Sequence, residues 1–231
     1  MRYQKFNQTP SSYQSFNLKE SFLYINDNII KKNKPSSLLD IGCASGDFLS
    51  ILDTSINSAG VDKSKALIGL AKTKVDRPFY NFDVIKKKNK LNKLLLEFGE
   101  AVTILGTMHT FLDFRIILRE ILKSNNTSLI IIHSPFNVKP IDTRVFHGDL
   151  SKNENDFQAA YNIFSIKTIS SFIKSYKINK FEFIPFIMKK KLKFSNENPM
   201  NNYHLESKNG KKYLTNGTGI LMEEFFLIIH K

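Results

Sequence analysis

Cysteine is almost missing from this sequence: Cys43 is the only one in 231 residues. That excludes a disulfide framework and any cysteine-built zinc cluster, and no metal site is expected. Long apolar runs are missing as well. The longest, residues 129–132 and 225–229, are far too short to cross a bilayer. Residues 1–14 are polar and hold no signal-like apolar core, so a cytoplasmic location is expected. Arginine is scarce, at five of the 34 basic residues. Proteins that read bases favour the arginine fork. The net charge of +13 therefore argues only weakly for a nucleic-acid partner. Lysine, asparagine and isoleucine are all abundant, which reads as A/T-rich codon usage.

What is present is ordinary for a globular chain: 42% hydrophobic and 24% charged residues. This length suits one domain that buries its own core. Residues 1–35 read as a polar arm with aromatics (Tyr3, Phe6, Tyr13, Phe16) and then a helix. Its apolar stripe is Leu18, Phe22, Ile25 and Ile29, spaced by four, three and four.

From there strands and helices alternate. Strands are expected at 37–41, 58–61, 79–82, 101–105 and 129–133. Helices are expected from near Phe48, over 64–74, 91–98 and 116–122. This rhythm predicts an α/β fold: a doubly wound, mainly parallel, Rossmann-like sheet of seven strands, with the last strand antiparallel. The rhythm fails over 134–162, which shows no period. A helix over 167–176, capped by Ser165, and a strand over 181–187 follow. Residues 189–218 are a second irregular stretch, and 223–230 read as the closing strand. Within the second stretch, Gly210–Leu214 and Asn216–Gly219 look like two sides of a small hairpin. Long connections of this kind are usually functional.

The informative run is Leu38-Leu39-Asp40-Ile41-Gly42-Cys43-Ala44-Ser45-Gly46. An apolar strand ends in an acid and passes into a Gly-x-x-x-Gly turn. The G-x-G-x-x-G pattern that cradles a pyrophosphate is missing. An aspartate before the turn repels phosphate and attracts a cation. Sixteen residues after Gly46 comes Asp62, and twenty-one after that comes Asp83. Each stands at the end of an expected strand, on the rim where such sheets bind ligands. Asp62 there suits two ribose hydroxyls. Asp83, with Val84 beside it, suits an adenine amino group and ring. Taken singly, each residue also has an ordinary structural reading: turn acid, turn glycine or helix cap. Their order along three strand ends favours a site.

This constellation resembles the class I S-adenosylmethionine-dependent methyltransferases. Asp40–Gly46 matches their first motif, and Asp62 and Asp83 match their second- and third-strand acids. The resemblance covers roughly 36–133 and extends through 164–176. It implies S-adenosyl-L-methionine as the cofactor, held by Asp40, Gly42, Cys43, Ala44, Gly46, Asp62, Lys63, Asp83, Val84, Leu105 and Gly106. Cys43 is expected to be a packing residue rather than a nucleophile.

After the fourth strand comes Leu105-Gly106-Thr107-Met108-His109-Thr110. In the family this stretch faces cofactor and acceptor. His109 is the candidate catalytic base, with packing or capping as its alternative. The stretch lacks the Asn/Asp-Pro-Pro-Tyr/Phe pattern of amino-directed methyltransferases, and no Pro-Cys pair is present for attack on cytosine. The acceptor side is expected from 134–162 (Arg144, His147, Asp149, Tyr161) and 189–218 (Tyr203, His204, Asn216, Gly217-Thr218-Gly219). Arg144 reads as an anion contact or as a surface charge. The expected activity is methyl transfer to a small polar metabolite, an oxygen of a sugar or nucleotide-sugar. RNA methylation through the basic surface is the alternative, and a non-catalytic partner subunit a third.

Overall fold

The computed structural model describes residues 18–147, 158–194, 202–210, 212–217 and 219–231. The aromatic arm, Asp149 and Thr218 lie outside the described residues. The chain forms an α/β/α sandwich around one large sheet. Along the sheet the strands run β3 (Phe79–Asn81), β2 (Asn57–Asp62), β1 (Ser37–Ile41), β4 (Ala101–Leu105), β5 (Leu129–Asn137), β11 (Glu224–His230) and β8 (Phe181–Phe186). The first five are parallel, and β11 is antiparallel to both its neighbours. The expected mainly parallel sheet with an antiparallel last strand is therefore present, and two further strands bring it from seven to nine.

Alternation within each strand builds two cores. Leu39, Ile41, Val102, Ile104, Ile130 and Ile132 face one way, onto α4 (Lys88–Phe98), α5 (Phe114–Lys123) and α6 (Ile166–Lys174). Leu38, Ala101, Leu105, Ile131 and Phe226 face the other, onto α1 (Glu20–Ile25) and α3 (Lys65–Lys74). Burial of both faces explains why β5 opens on the unbroken apolar run Leu129–Ile132. Helix α1 continues through a π turn, Asn26–Ile30, into α2 (Lys31–Asn33). Phe22, Ile25 and Ile29 of the expected stripe are buried, whereas Leu18 is exposed. The side chain of Ser165 caps α6 as expected, and that of Ser64 caps α3.

Three expectations need correction. No α-helix begins near Phe48; the segment makes a single 3-10 turn, Leu49–Ile51. The Ser50 hydroxyl bonds back to the Asp47 carbonyl, and the Asp53 carboxylate ties down the Ser55 amide. These local bonds compete with helix extension, while Phe48, Leu49, Leu52 and Ile56 still reach the core. Second, residues 134–162 are not irregular throughout. β5 runs on to Asn137, and β6 (Thr143–His147) and β7 (Gln158–Ser165) form an antiparallel pair, with β7 also joined to the end of β5. A bulge between Val145 and Phe146 breaks the period that would have revealed them. Third, β10 (Lys212–Thr215) pairs upstream, with β9 (Tyr203–Glu206), and makes only a bridge from Leu214 to Met222 downstream.

The two excursions meet. Tyr161 of the first packs with Leu214 of the second, and Ile163 and Met222, just beyond each, complete a small core of their own.

Candidate active site

The strand order reverses at β1, whose carboxyl end carries Asp40 and the turn that follows. In doubly wound sheets this switch point is where ligands bind. Asp40 pairs in register with Gly60 on one side and Thr103 on the other. It is buried, and Oδ1 accepts the Thr103 hydroxyl at 2.7 Å. Burial pushes its carboxyl up to about 7, against the pull of the Thr103 bond, and the charge of Asp62 adds to the rise. A buried acid in this state lacks a full countercharge.

The turn after Asp40 is tight. Gly42 and Gly46 both have φ +78°, and Ala44 between them has φ +47°. The Asp62 carboxylate holds the turn: Oδ2 accepts the Ala44 amide at 3.1 Å, while Oδ1 accepts the Ser64 amide at 2.8 Å. The helix cap itself is Ser64, and Asp62 links the β1 turn to the start of α3 by holding the Ser64 amide. A Cβ on Gly42 would lie 2.6 Å from Thr107 Cγ2, so the loop after β4 already fills the space beside the turn. A Cβ on Gly46 would lie 2.8 Å from the Phe79 ring.

Cys43 is buried against Gly60, and burial raises its thiol well above the usual range, with Asp40 and Asp62 adding to the effect. It is a packing residue. Leu105 is buried in the second core, and Gly106 is exposed with φ +70°. Lys63 is exposed on the rim. Asp83 stands after β3, where Oδ1 accepts the Ile85 and Lys86 amides, and Val84 is buried. Asp62, not Asp83, is the acid whose charge reaches Asp40.

His109 lies in a 3-10 turn, Met108–Thr110, after β4. Its ring stacks on Tyr161 with centroids 4.2 Å apart, and its Nδ1 is buried without a hydrogen-bond partner. Burial, and then the charge of Lys19, pull the imidazole down to about 4. At neutral pH it is an uncharged ring, suited to hydrogen bonding and stacking more than to storing a proton.

Sequence reasoning missed Asn162. It is buried, and Nδ2 donates to the carbonyls of His109 at 3.0 Å and Phe111 at 3.1 Å. Its Oδ1 accepts Arg144 Nε at 2.7 Å, and Arg144 also bonds the Leu112 carbonyl. Arg144 is therefore engaged in holding the loop. The one signal in the sequence was a polar residue inside the apolar stretch Tyr161–Phe164. His204 and Tyr203 fold the second excursion: His204 Nδ1 accepts the Leu192 amide, and Tyr203 packs on Phe194.

A groove of about 440 Å³ opens at the opposite edge, lined by Pro35, Glu100, Ser128, Lys180 and Lys231. It lies at the amino ends of the parallel strands, so the switch-point argument gives it no role. Among the described residues no group of three or more His, Cys, Asp or Glu is placed to hold a metal ion. Among them, too, no helix is long and apolar enough to cross a membrane.

Comparison with known structures places the architecture. The chain has the fold of the S-adenosylmethionine-dependent methyltransferases. It is similar to one from Archaeoglobus fulgidus (TM-score 0.54, 16% identity, 99% of this chain and 97% of that one). It is also similar to one from Anabaena variabilis (TM-score 0.56, 13% identity, 99% and 93%). A third is the magnesium protoporphyrin IX methyltransferase of Synechocystis, solved with bound SAH (TM-score 0.52, 10% identity, 92% and 82%). An uncharacterized protein of Methanocaldococcus jannaschii, MJ1252, is 28% identical over 123 residues. That match covers 51% of this chain and 45% of the relative. No protein-family model matches the chain.

Proposed function

We propose that this chain transfers a methyl group from S-adenosyl-L-methionine to an oxygen of a small polar metabolite of the sugar or nucleotide-sugar class. The observation that carries the reading is the coupled pair Asp40 and Asp62 flanking the left-handed turn at the switch point. A buried carboxyl pushed up for want of a countercharge fits a cationic ligand. Burial pulls the Lys19 ammonium down, and the charges of Glu224, Asp47 and Asp40 only partly offset it. The methionine end would lie against Asp40 and the 42–46 turn. Asp62 would accept from the ribose, and Asp83 and Val84 would meet the adenine. The cofactor supplies an activated methyl group with its leaving group built in.

The protein side chains then need only align the acceptor and exclude water. Asn162 fixes the loop that carries His109. The Tyr161 stack and the joined excursions roof that loop with apolar surface. Neutral His109 is free to hydrogen-bond an acceptor hydroxyl. The scarcity of arginine supports a small acceptor over RNA.

Calorimetric titration of S-adenosylmethionine tests the reading. The wild-type chain is expected to bind, and Asp62→Ala to bind about 10- to 100-fold more weakly. Because Asp62 also anchors the Ala44 and Ser64 amides, circular dichroism must show the variant folded. Absence of binding by the wild type refutes the proposal.

A further inference from the structure

Two polar side chains stand inside the apolar sheet, on the neighbouring strands β5 and β11. His133, on β5, is paired in register with Leu105, the last residue of β4. Glu224 begins β11 and lies opposite Pro135, one diagonal step from His133 on the same face. His133 is buried, and its Nε2 has no hydrogen-bond partner. The nearest acid oxygen, Glu224 Oε1, is 3.8 Å away. That is too long for a hydrogen bond. Phe186 and Phe226 pack on the imidazole and hold it in place. A buried nitrogen left unpartnered costs stability and calls for an explanation.

The gap has a useful size. An oxygen placed about 2.8 Å from both atoms subtends about 85° between them, a workable angle for one hydroxyl making two hydrogen bonds. The His133 carbonyl accepts the Gly106 amide at 2.8 Å, which sets the gap beside the loop that follows β4. The charge of Lys19 is felt by Glu224, His109 and His133 as well as by Asp40.

We infer that Glu224 and His133 form the acceptor notch, with Glu224 as the general base that takes the acceptor hydroxyl's proton. This rests on the methyl-transfer reading and names its proton acceptor. The hydroxyl oxygen forms the new bond to the methyl carbon. The carbon–sulfur bond breaks with its electron pair passing to sulfur, and the hydroxyl proton passes to Glu224. His133 Nε2 is a positioning partner that accepts or donates one hydrogen bond. The groups facing Glu224 are Lys19 before α1, His133 on β5 and Tyr161 on β7. Burial pushes the Glu224 carboxyl up to about 7, partly offset by Lys19. A base matched to neutral pH is the efficient kind. His109, pulled down to about 4, is not.

The test has two arms, each on the full chain. In the first, infrared difference spectra of the ligand-free protein are recorded from pH 5 to pH 9. Asp40 and Glu224 are both pushed up to about 7, so the spectra are compared in an Asp40→Asn background, where a buried carboxyl band titrating near pH 7 is expected and is lost once Glu224→Gln is added. In the second, methyl transfer from labelled S-adenosylmethionine is measured on a panel of free sugars and nucleotide-sugars, with cofactor affinity followed by calorimetry. Glu224→Gln is expected to keep cofactor affinity within about twofold and to lose about 100-fold or more in rate. It should also lose the rise in rate near pH 7 that the wild type shows. Glu224→Asp retains the carboxylate and should recover part of the rate, which serves if the glutamine variant folds poorly. A Glu224→Gln variant with wild-type rate and pH profile overturns the inference. So does the absence of the titrating band. If the wild type binds no S-adenosylmethionine, the methyl-transfer reading fails; the infrared arm still decides whether Glu224 holds its proton at neutral pH. If no compound on the panel is methylated, the infrared arm alone decides the inference.

Discussion

The Thr103 hydroxyl on β4 donates to Asp40 Oδ1 on β1 at 2.7 Å, across neighbouring strands at the point where the sheet order reverses. This bond pulls the Asp40 carboxyl down, yet burial wins and leaves it near 7. An acid raised in the folded state binds more protons folded than unfolded between its ordinary range and about 7. Stability therefore falls as pH rises through that window.

Asp40→Asn removes this penalty and keeps an oxygen for Thr103. The variant is expected to exceed the wild type in stability by about 1–4 kcal/mol at pH 8, with the gap closing as pH falls toward 4. His109 and His133 act in the opposite sense. Their imidazoles are lowered to about 4 and about 3, so they favour the folded state as pH rises toward 6.5. The difference between variant and wild type, and not either profile alone, isolates Asp40. Urea unfolding over pH 4–8 measures it; a gap independent of pH contradicts the assignment.

Gly42→Ala meets two obstacles at once. Its backbone is left-handed, and the new Cβ runs into Thr107. The expected loss is about 2–4 kcal/mol from strain and overpacking together. Adding Thr107→Gly removes the clashing atoms and should return the overpacking part only. Denaturant midpoints of the single and double variants check this.

Lys74 and Asp47 form an ion pair at 2.8 Å, with side chains 10% and 8% exposed. Lys74→Met strands a buried carboxylate beside the first turn and is expected to cost about 3 kcal/mol. The double variant with Asp47→Asn should be more stable than the single one, because the stranded charge is gone. Thermal unfolding at pH 7 compares them.

Asn162→Ala leaves the His109 and Phe111 carbonyls without their donor and Arg144 Nε without its acceptor. A loss of about 2 kcal/mol is expected, with faster amide exchange over residues 107–112. Asn162→Asp keeps the Arg144 contact but cannot donate, so it should behave nearly as badly. Exchange rates equal to the wild type in both variants would refute the clamp.

Much of the sheet was legible because parallel strands buried on both faces are spelled as apolar runs. Residues 101–105 and 129–133 show it plainly, and β5 continues four residues further, to Asn137. The acids at the strand ends were visible because a charge directly after such a run is rarely idle. What stayed hidden was held by contacts distant in sequence. Asn162 reaches 53 residues back to His109. His133 followed the apolar run 129–132 and read as the last position of a buried strand. Glu224 opened a strand whose partners are 89 residues away, at Pro135, and 38 residues away, at Phe186. The region after Phe48 misled because apolar spacing alone does not register side chains that bond to their own backbone.

Strand β11 is wedged between β5 and β8, so β8 joins the main sheet only through it. A growing polypeptide must therefore emit residues 224–230 before that edge can zip shut. The same stretch delivers Glu224. Architectural completion and arrival of the buried acid are thus a single event during synthesis, leaving no stage at which a finished sheet stands without it.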